Sequence, residues 1–156
     1  RLAQRDPLTD LLNLRAFQEQ YRRMAPEDAW LYIIDIDHFK QTNDAFGHLV
    51  GNQVLRELAA MMVSSVRATD LVCRMGGDEF LILCTGMRGP EEAGALARRL
   101  LEGADKMRRD TGYLESLSIG ISHITLGIGL KDAVKMADQA LYQSKAAGRN
   151  RYTIAR

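Results

Sequence analysis

The chain has 156 residues, of which 46% are hydrophobic and 26% charged; this suffices for one domain that buries about two thirds of its unfolded surface, and it excludes a disordered polar chain. Lys plus Arg number 21 against 20 for Asp plus Glu, a net charge of +1, so no global field marks a binder of nucleic acid or anionic lipid, and any phosphate recognition must be local. No apolar stretch reaches the ~18 residues of a membrane helix, and no signal-peptide pattern opens the chain.

Residues 1–24 place Leu8, Leu11, Leu12, Leu14, Phe17 and Tyr21 at helical spacing, with Asp6, Pro7 and Thr9 as capping chemistry, and read as an entry helix. Trp30 to Ile34 is an apolar run of β-formers that suits a buried strand ending on Asp35-Ile-Asp37. Leu49 to Val66 carries the stripe of a core-facing helix. Leu71–Cys73 and Phe80–Cys84 are two strand-like runs joined through Gly76-Gly-Asp-Glu79, a hairpin with a glycine-permitted turn. Pro90 opens a helix to about Arg109, with acids in its first turn and bases in its last. Leu117–Ile124 reads as a strand, Leu130–Ala147 as a helix stopped by Gly148, and Tyr152–Ile154 as an edge strand. A hairpin interrupts the alternation of strands and helices, which favours an α+β fold: a mostly antiparallel sheet with helices packed on it. Cys73 and Cys84 lack metal-ligand spacing and are expected as buried free thiols in a reducing cytoplasm.

A hairpin lying beside the first strand would bring Asp35 near Asp78 and Glu79. Clustered carboxylates tolerate one another only by sharing protons or by holding a cation, and a hard oxygen-ligated ion such as Mg²⁺ is the natural occupant. Acids in a turn can equally be solvated. Gly76 and Gly77 let a backbone approach a ligand and offer N–H groups to phosphate oxygens. Lys40, Lys145 and Arg149 could hold phosphate or be solvated surface bases. His38, His48 and His123 have no metal-ligand spacing and are expected to be structural.

Gly76-Gly-Asp-Glu-Phe80 spells the signature of the GGDEF family of diguanylate cyclases, and four further segments resemble the family in order: Asp6–Asn13, Asp35–Lys40, Asn43–His48, and Ala137–Tyr142 with Lys145 and Gly148–Arg151. The resemblance implies a fold similar to class III nucleotide cyclases and polymerase palms, in a single domain over 1–156. A start at Arg1 rather than Met suggests a module cut from a longer regulatory protein. The resemblance further implies condensation of two GTP into cyclic di-GMP by a cytoplasmic homodimer under an upstream sensory or receiver domain, with no nucleic acid as partner. By the same resemblance Asp35, Asp78 and Glu79 are catalytic and, with the Ile36 carbonyl, hold two Mg²⁺ or Mn²⁺ ions. Phe39, Lys40, Asn43, Asn52, Gly76, Gly77, Lys145 and Arg149 bind GTP. Arg67 and Asp70, whose RxxD string is separated from Gly76 by a five-residue gap, match the family's inhibitory site for the product, although a helix-end ion pair is an ordinary reading of the same string.

One position departs from the family pattern. Asn52 stands where the family usually has Asp, so an amide with one donor and one acceptor replaces a carboxylate with two acceptors facing guanine N–H groups. Guanine binding is expected to weaken, or selectivity to relax toward a cyclic dinucleotide synthase that also takes ATP. A binding module that senses GTP or cyclic di-GMP without turnover is the reading from another class; an intact set of acids argues against it.

Overall fold

The computed structural model describes residues 3–156. Its elements in chain order are α1 (Leu14–Met24), β1 (Ala29–Ile36), α2 (Phe39–Phe46), α3 (His48–Ser65), β2 (Leu71–Gly76), β3 (Glu79–Thr85), α4 (Pro90–Thr111), β4 (Leu117–Ile124), α5 (Leu130–Ala146) and β5 (Arg151–Ile154). The strands form one sheet in the order β2-β3-β1-β4-β5. All pairs are antiparallel except β4 with β5, which is parallel. The fold is α+β, as the hairpin that interrupts the alternation of runs predicts.

β1 is buried along its whole length, and successive side chains leave it on opposite faces. Trp30, Tyr32, Ile34 and Ile36 join Phe80, Ile82, Ile119 and Ile121 under α3 and α4. Ala29, Leu31 and Ile33 join Leu81 and Leu83 under α1 and α5. Each large aliphatic or aromatic side chain so buried contributes on the order of 1.5–3 kcal/mol. The Tyr32 hydroxyl donates to the Ala93 carbonyl at 2.8 Å, tying the strand to α4.

On the α5 face β4 presents Ser118, Gly120 and Ser122, small residues that admit the helix closely. Ser122 Oγ donates to the Ala133 carbonyl at 2.8 Å, and Ser144 Oγ to the Ile119 carbonyl at 2.9 Å. A Cβ at Gly120 would lie 2.0 Å from the Ala137 carbonyl oxygen and 2.3 Å from the Leu141 nitrogen. Only a residue without a side chain fits there.

One expectation needs correction, and two features lie beyond what the sequence assigned. Residues 3–13 are not helical: Asp6 takes the Thr9 N–H at 2.9 Å in a turn, Asp10 has φ 60°, and α1 starts only after Asn13, whose side chain accepts from the Ala16 N–H. Pro7 and the left-handed Asp10 defeat the helical spacing, while Leu11 and Leu12 are buried without it. The helix α2 lies on a segment the sequence leaves unassigned, and Gly47 at φ 90° separates it from α3. The last strand pairs in parallel, because α5 returns the chain to the same end of the sheet from which β4 set out. Cys73 and Cys84 are free and buried, on opposite faces of the sheet. Burial pushes the Cys73 thiol up to about 12.

Gly120→Ala must displace helix backbone rather than a flexible side chain, and is expected to cost about 3 kcal/mol, lowering the melting temperature by roughly 6–12 °C. A thermal melt of the variant checks this, with Gly76→Ala, whose Cβ meets nothing within 4 Å, as the mild control.

Candidate functional site

The face that carries Leu31 and Ile33 continues to Asp35 and then Asp37. β3 brings Glu79 opposite Asp35 in register, on the same face as Leu81. α5 buries Ala133, Ala137 and Leu141, and one turn beyond Leu141 the same stripe delivers Lys145. The Lys145 ammonium pairs with the Asp35 carboxylate. A hydrophobic alternation on the strand and a helical stripe on α5 thus end together on a pair of opposite charges.

Burial, the dominant cause, and the Asp78 carboxylate beside it push the Asp35 carboxyl up to about 6 against the opposing pull of Lys145. Burial and Asp78 also raise Glu79. Burial alone would lower Lys145; its hydrogen bond to Asp35 and the charges of Asp35, Glu79 and Asp78 outweigh that and raise it. Asp35 Oδ1 is buried with no hydrogen-bond partner among the described residues. An unpartnered carboxylate oxygen amid further carboxylates is a donor set suited to a hard divalent cation. Among the described residues no three Asp, Glu, His or Cys side chains already converge on one point, and Lys145 supplies the positive charge there.

A cleft of about 240 Å³ opens on this corner, lined by Asp35, Ile36, Phe39, Lys40, Asp78, Lys145 and Arg149 together with Asp37, His38 and Gln41. Lys40 pairs at 3.1 Å with Asp44, both well exposed, a contact of little energetic weight. Gly76 ends β2 and Gly77 begins the turn to β3, and an added Cβ on either would meet nothing within 4 Å. Asn43 and Asn52 do not line the cleft; they sit at the contact of α2 with α3. There a Cβ on Gly51 would lie 1.9 Å from Asn43 Oδ1 and 3.3 Å from the Phe39 ring, so Phe39 bridges the cleft and this corner.

Arg67 and Asp70 are brought together, but away from the acids. The Asp70 N–H donates to the Arg67 carbonyl at 2.9 Å and the Arg67 N–H to Asp70 Oδ2 at 2.9 Å, closing a turn before β2. The Arg67 guanidinium bonds the Thr85 carbonyl and lies 3.8 Å from Asp70. A cleft of about 750 Å³ lies alongside and is also lined by Arg5 and Arg56.

Two residues escape reasoning by motif alone. Arg74 donates to the Gly77 carbonyl at 2.8 and 3.1 Å and pairs with Asp6 at 3.3 Å, fastening the turn to the segment before α1. A base two residues before a glycine pair was the available signal. Asp37 is the other: its side chain is wholly buried, and it takes hydrogen bonds from Ser116 Oγ at 2.6 Å, Ser118 Oγ at 2.7 Å and the Asn150 N–H at 3.2 Å.

Residues 3–151 match the family described as "Diguanylate cyclase, GGDEF domain". The probable diguanylate cyclase DgcT of Escherichia coli (strain K12) is 34% identical over 163 residues, covering 98% of this chain but only 36% of DgcT, so the chain spans little more than a third of that relative. The crystal structure of the GGDEF domain of DgcB from Caulobacter crescentus in complex with c-di-GMP is 30% identical, with a TM-score of 0.86 over 99% of this chain and 96% of that one. Diguanylate cyclase SiaD from Pseudomonas aeruginosa, crystallised with its activator SiaC, is 35% identical with a TM-score of 0.86, covering 97% of this chain and 61% of SiaD. The family match and the likeness over nearly the full length agree, and this chain belongs to the diguanylate cyclase GGDEF-domain family.

Proposed function

We propose that this domain is a cytoplasmic diguanylate cyclase that condenses two GTP into cyclic di-GMP with release of two pyrophosphates. The observation that carries the reading is the pairing of Asp35 with Glu79 in register beside Asp78, with Asp35 Oδ1 left unpartnered. Asp35, Glu79 and the Ile36 carbonyl would hold two Mg²⁺ or Mn²⁺ ions, with Asp78 the neighbouring acid; such ions would supply charge to neutralise the triphosphate and to lower the pKa of the attacking 3′-hydroxyl. Gly76 and Gly77 present backbone N–H groups to phosphate, while Lys40, Lys145 and Arg149 offset its charge; Lys145 exchanges Asp35 for phosphate as the site loads. Phe39, Asn43 and Asn52 take the base. One protomer holds one GTP, so turnover requires a homodimer, which an upstream sensory or receiver domain would bring together. Cyclic di-GMP is read at Arg67 and Asp70, the guanidinium pairing with phosphate or stacking on guanine.

Asn52 supports a second reading, a relaxed cyclase that also uses ATP. The direct test of both incubates the purified domain with Mg²⁺ and mixed GTP and ATP and identifies products by mass spectrometry. Cyclic di-GMP alone supports the first reading, mixed products the second, and no cyclic dinucleotide at any protein concentration overturns both.

Asp35→Asn and Glu79→Gln should each lower product formation by ~10²-fold or more while the fold survives. Because the folded-state value of Asp35 is raised, its ionisation penalises the folded domain as pH climbs past the ordinary carboxylate value near 4, fully so above about 6. In metal-free buffer Asp35→Asn should therefore melt higher than the parent at pH 7.5 and lose that advantage at pH 4. Equal activity, or a lower melting temperature at pH 7.5, contradicts the assignment.

Arg67→Ala should weaken cyclic di-GMP binding at least ~tenfold without a matching loss of turnover; calorimetry giving equal affinities would dispose of the product site. Asn52→Asp restores two acceptors for guanine N1–H and N2–H, and should sharpen preference for GTP over ATP by about 1–3 kcal/mol. Competition assays showing a preference unchanged within about twofold would remove residue 52 from base recognition.

A further inference from the structure

Arg149, one of the bases assigned to phosphate, sits on a turn whose shape the chain does not favour by itself. After α5, Gly148 has φ 121°, and then two residues with side chains, Arg149 at 65° and Asn150 at 51°, follow in the left-handed region. Asn tolerates that region; Arg does so poorly. Within the turn, the Arg149 N–H donates to the Ser144 carbonyl at 2.9 Å and the Gly148 N–H to the Lys145 carbonyl at 3.3 Å. Both bonds fasten the turn to its own helix and neither fixes it relative to the sheet.

Beyond the turn β5 pairs with β4 from Arg151 onward; within the turn itself, Asp37 supplies the link to the sheet. Its carboxylate, wholly buried, bonds the Asn150 N–H at 3.2 Å, lies 4.0 Å from Arg149 Nε, and is clamped from the other side by Ser116 Oγ and Ser118 Oγ at 2.6 and 2.7 Å. The Asp37 N–H also donates to the Ser116 carbonyl at 2.9 Å. One carboxylate therefore joins the end of β1, the start of β4 and the turn that aims Arg149 into the cleft. Burying a charge is tolerated only when donors satisfy it, and here they come from the start of β4 and from the turn after α5.

We propose that Asp37 is a positioning residue for triphosphate binding: it acts through Arg149, holding the turn after α5 in its left-handed shape so that the guanidinium faces the phosphates before substrate arrives. The inference rests on the cyclase reading and on the phosphate role of Arg149. Its kinetic signature is lost affinity more than lost chemistry, because Asp37 touches neither cation nor reacting atoms. Asn at position 37 keeps the shape but puts an NH₂ among groups that all donate.

The test is a double-mutant cycle on the folded domain with Mg²⁺, using calorimetry of a GTP analogue carrying a methylene group between its α- and β-phosphates. Asp37→Asn and Arg149→Ala should each weaken the analogue about tenfold, and the double variant should be little weaker than either single one. In turnover, Asp37→Asn should raise the KM for GTP by about tenfold and lower kcat by less than about threefold. If Asp37→Asn does not fold, Ser118→Ala, which removes one clamp, carries the same cycle with an expected loss of about threefold. Multiplicative losses in the double variant, or a folded Asp37→Asn or Ser118→Ala domain that binds the analogue like the parent, would overturn the proposal while leaving the cyclase reading intact. An Arg149→Ala domain with parental affinity overturns it together with the phosphate role of Arg149, and a parent domain that binds no analogue removes the cyclase reading itself.

Discussion

The close seating of α5 on β4 sets the geometry on which everything at the cleft depends. Ser118, Gly120 and Ser122 leave one face of β4 nearly bare, so the helix backbone reaches the strand and two serine hydroxyls cross the gap in opposite directions. With α5 locked at that height, its stripe of Ala133, Ala137 and Leu141 has a fixed rotation and a fixed end, and Lys145 has one place to go. A bulkier strand face would lift the helix and carry Lys145 and the following turn away from β1. The charge pair at the cleft is therefore a consequence of packing between residues several turns distant.

Asp35 on β1 and Asp37 just past its end are two residues apart, and the protein treats them in opposite ways. Asp37 is satisfied by two hydroxyls and an N–H, and its surroundings are complete. Asp35 keeps one oxygen without a partner, lies against Asp78, and has a raised affinity for protons. A group arranged for stability alone would not be left so, since a buried acceptor without a donor is costly. The contrast separates an acid that shapes the site from one that waits for a ligand, a distinction no distance along the chain conveys.

Long-period features were legible in the sequence. The runs at Trp30–Ile34 and Phe80–Cys84, the stripe of α3 and the Pro90 helix all declare themselves, because burial imposes a period of two or 3.6 on apolar residues. The meeting of Asp35 with Glu79 followed from setting a hairpin beside the first strand. What could not be seen had no such period. Residues 3–13 carry leucines at helical intervals, yet Pro7, Asp10 and the Asp6–Arg74 pair fix a non-helical path, and that pair joins positions 68 residues apart. α2 is short and mostly exposed, so burial leaves little imprint on its residues. The work of Asp37 was hidden for a related reason: its partners Ser116, Ser118 and Asn150 are remote in sequence and individually unremarkable. Motif resemblance named the residues around the cleft, but it did not show that Asn43 and Asn52 sit outside it, on the corner where α2 meets α3.

The segment before α1 has a second consequence, for solubility. β2 is an outer strand, and a bare outer strand invites other chains to add to it. Here Leu12 lies along it, giving its N–H to the Val72 carbonyl at 3.3 Å and taking the Arg74 N–H at 3.0 Å, so a single residue covers the stretch between Val72 and Arg74. The opposite rim ends in β5, four residues long and led by the exposed Arg151. One rim is capped and the other is short and charged, which opposes growth of the sheet in either direction and leaves helices and loops as the surfaces through which copies of this domain can meet without aggregating.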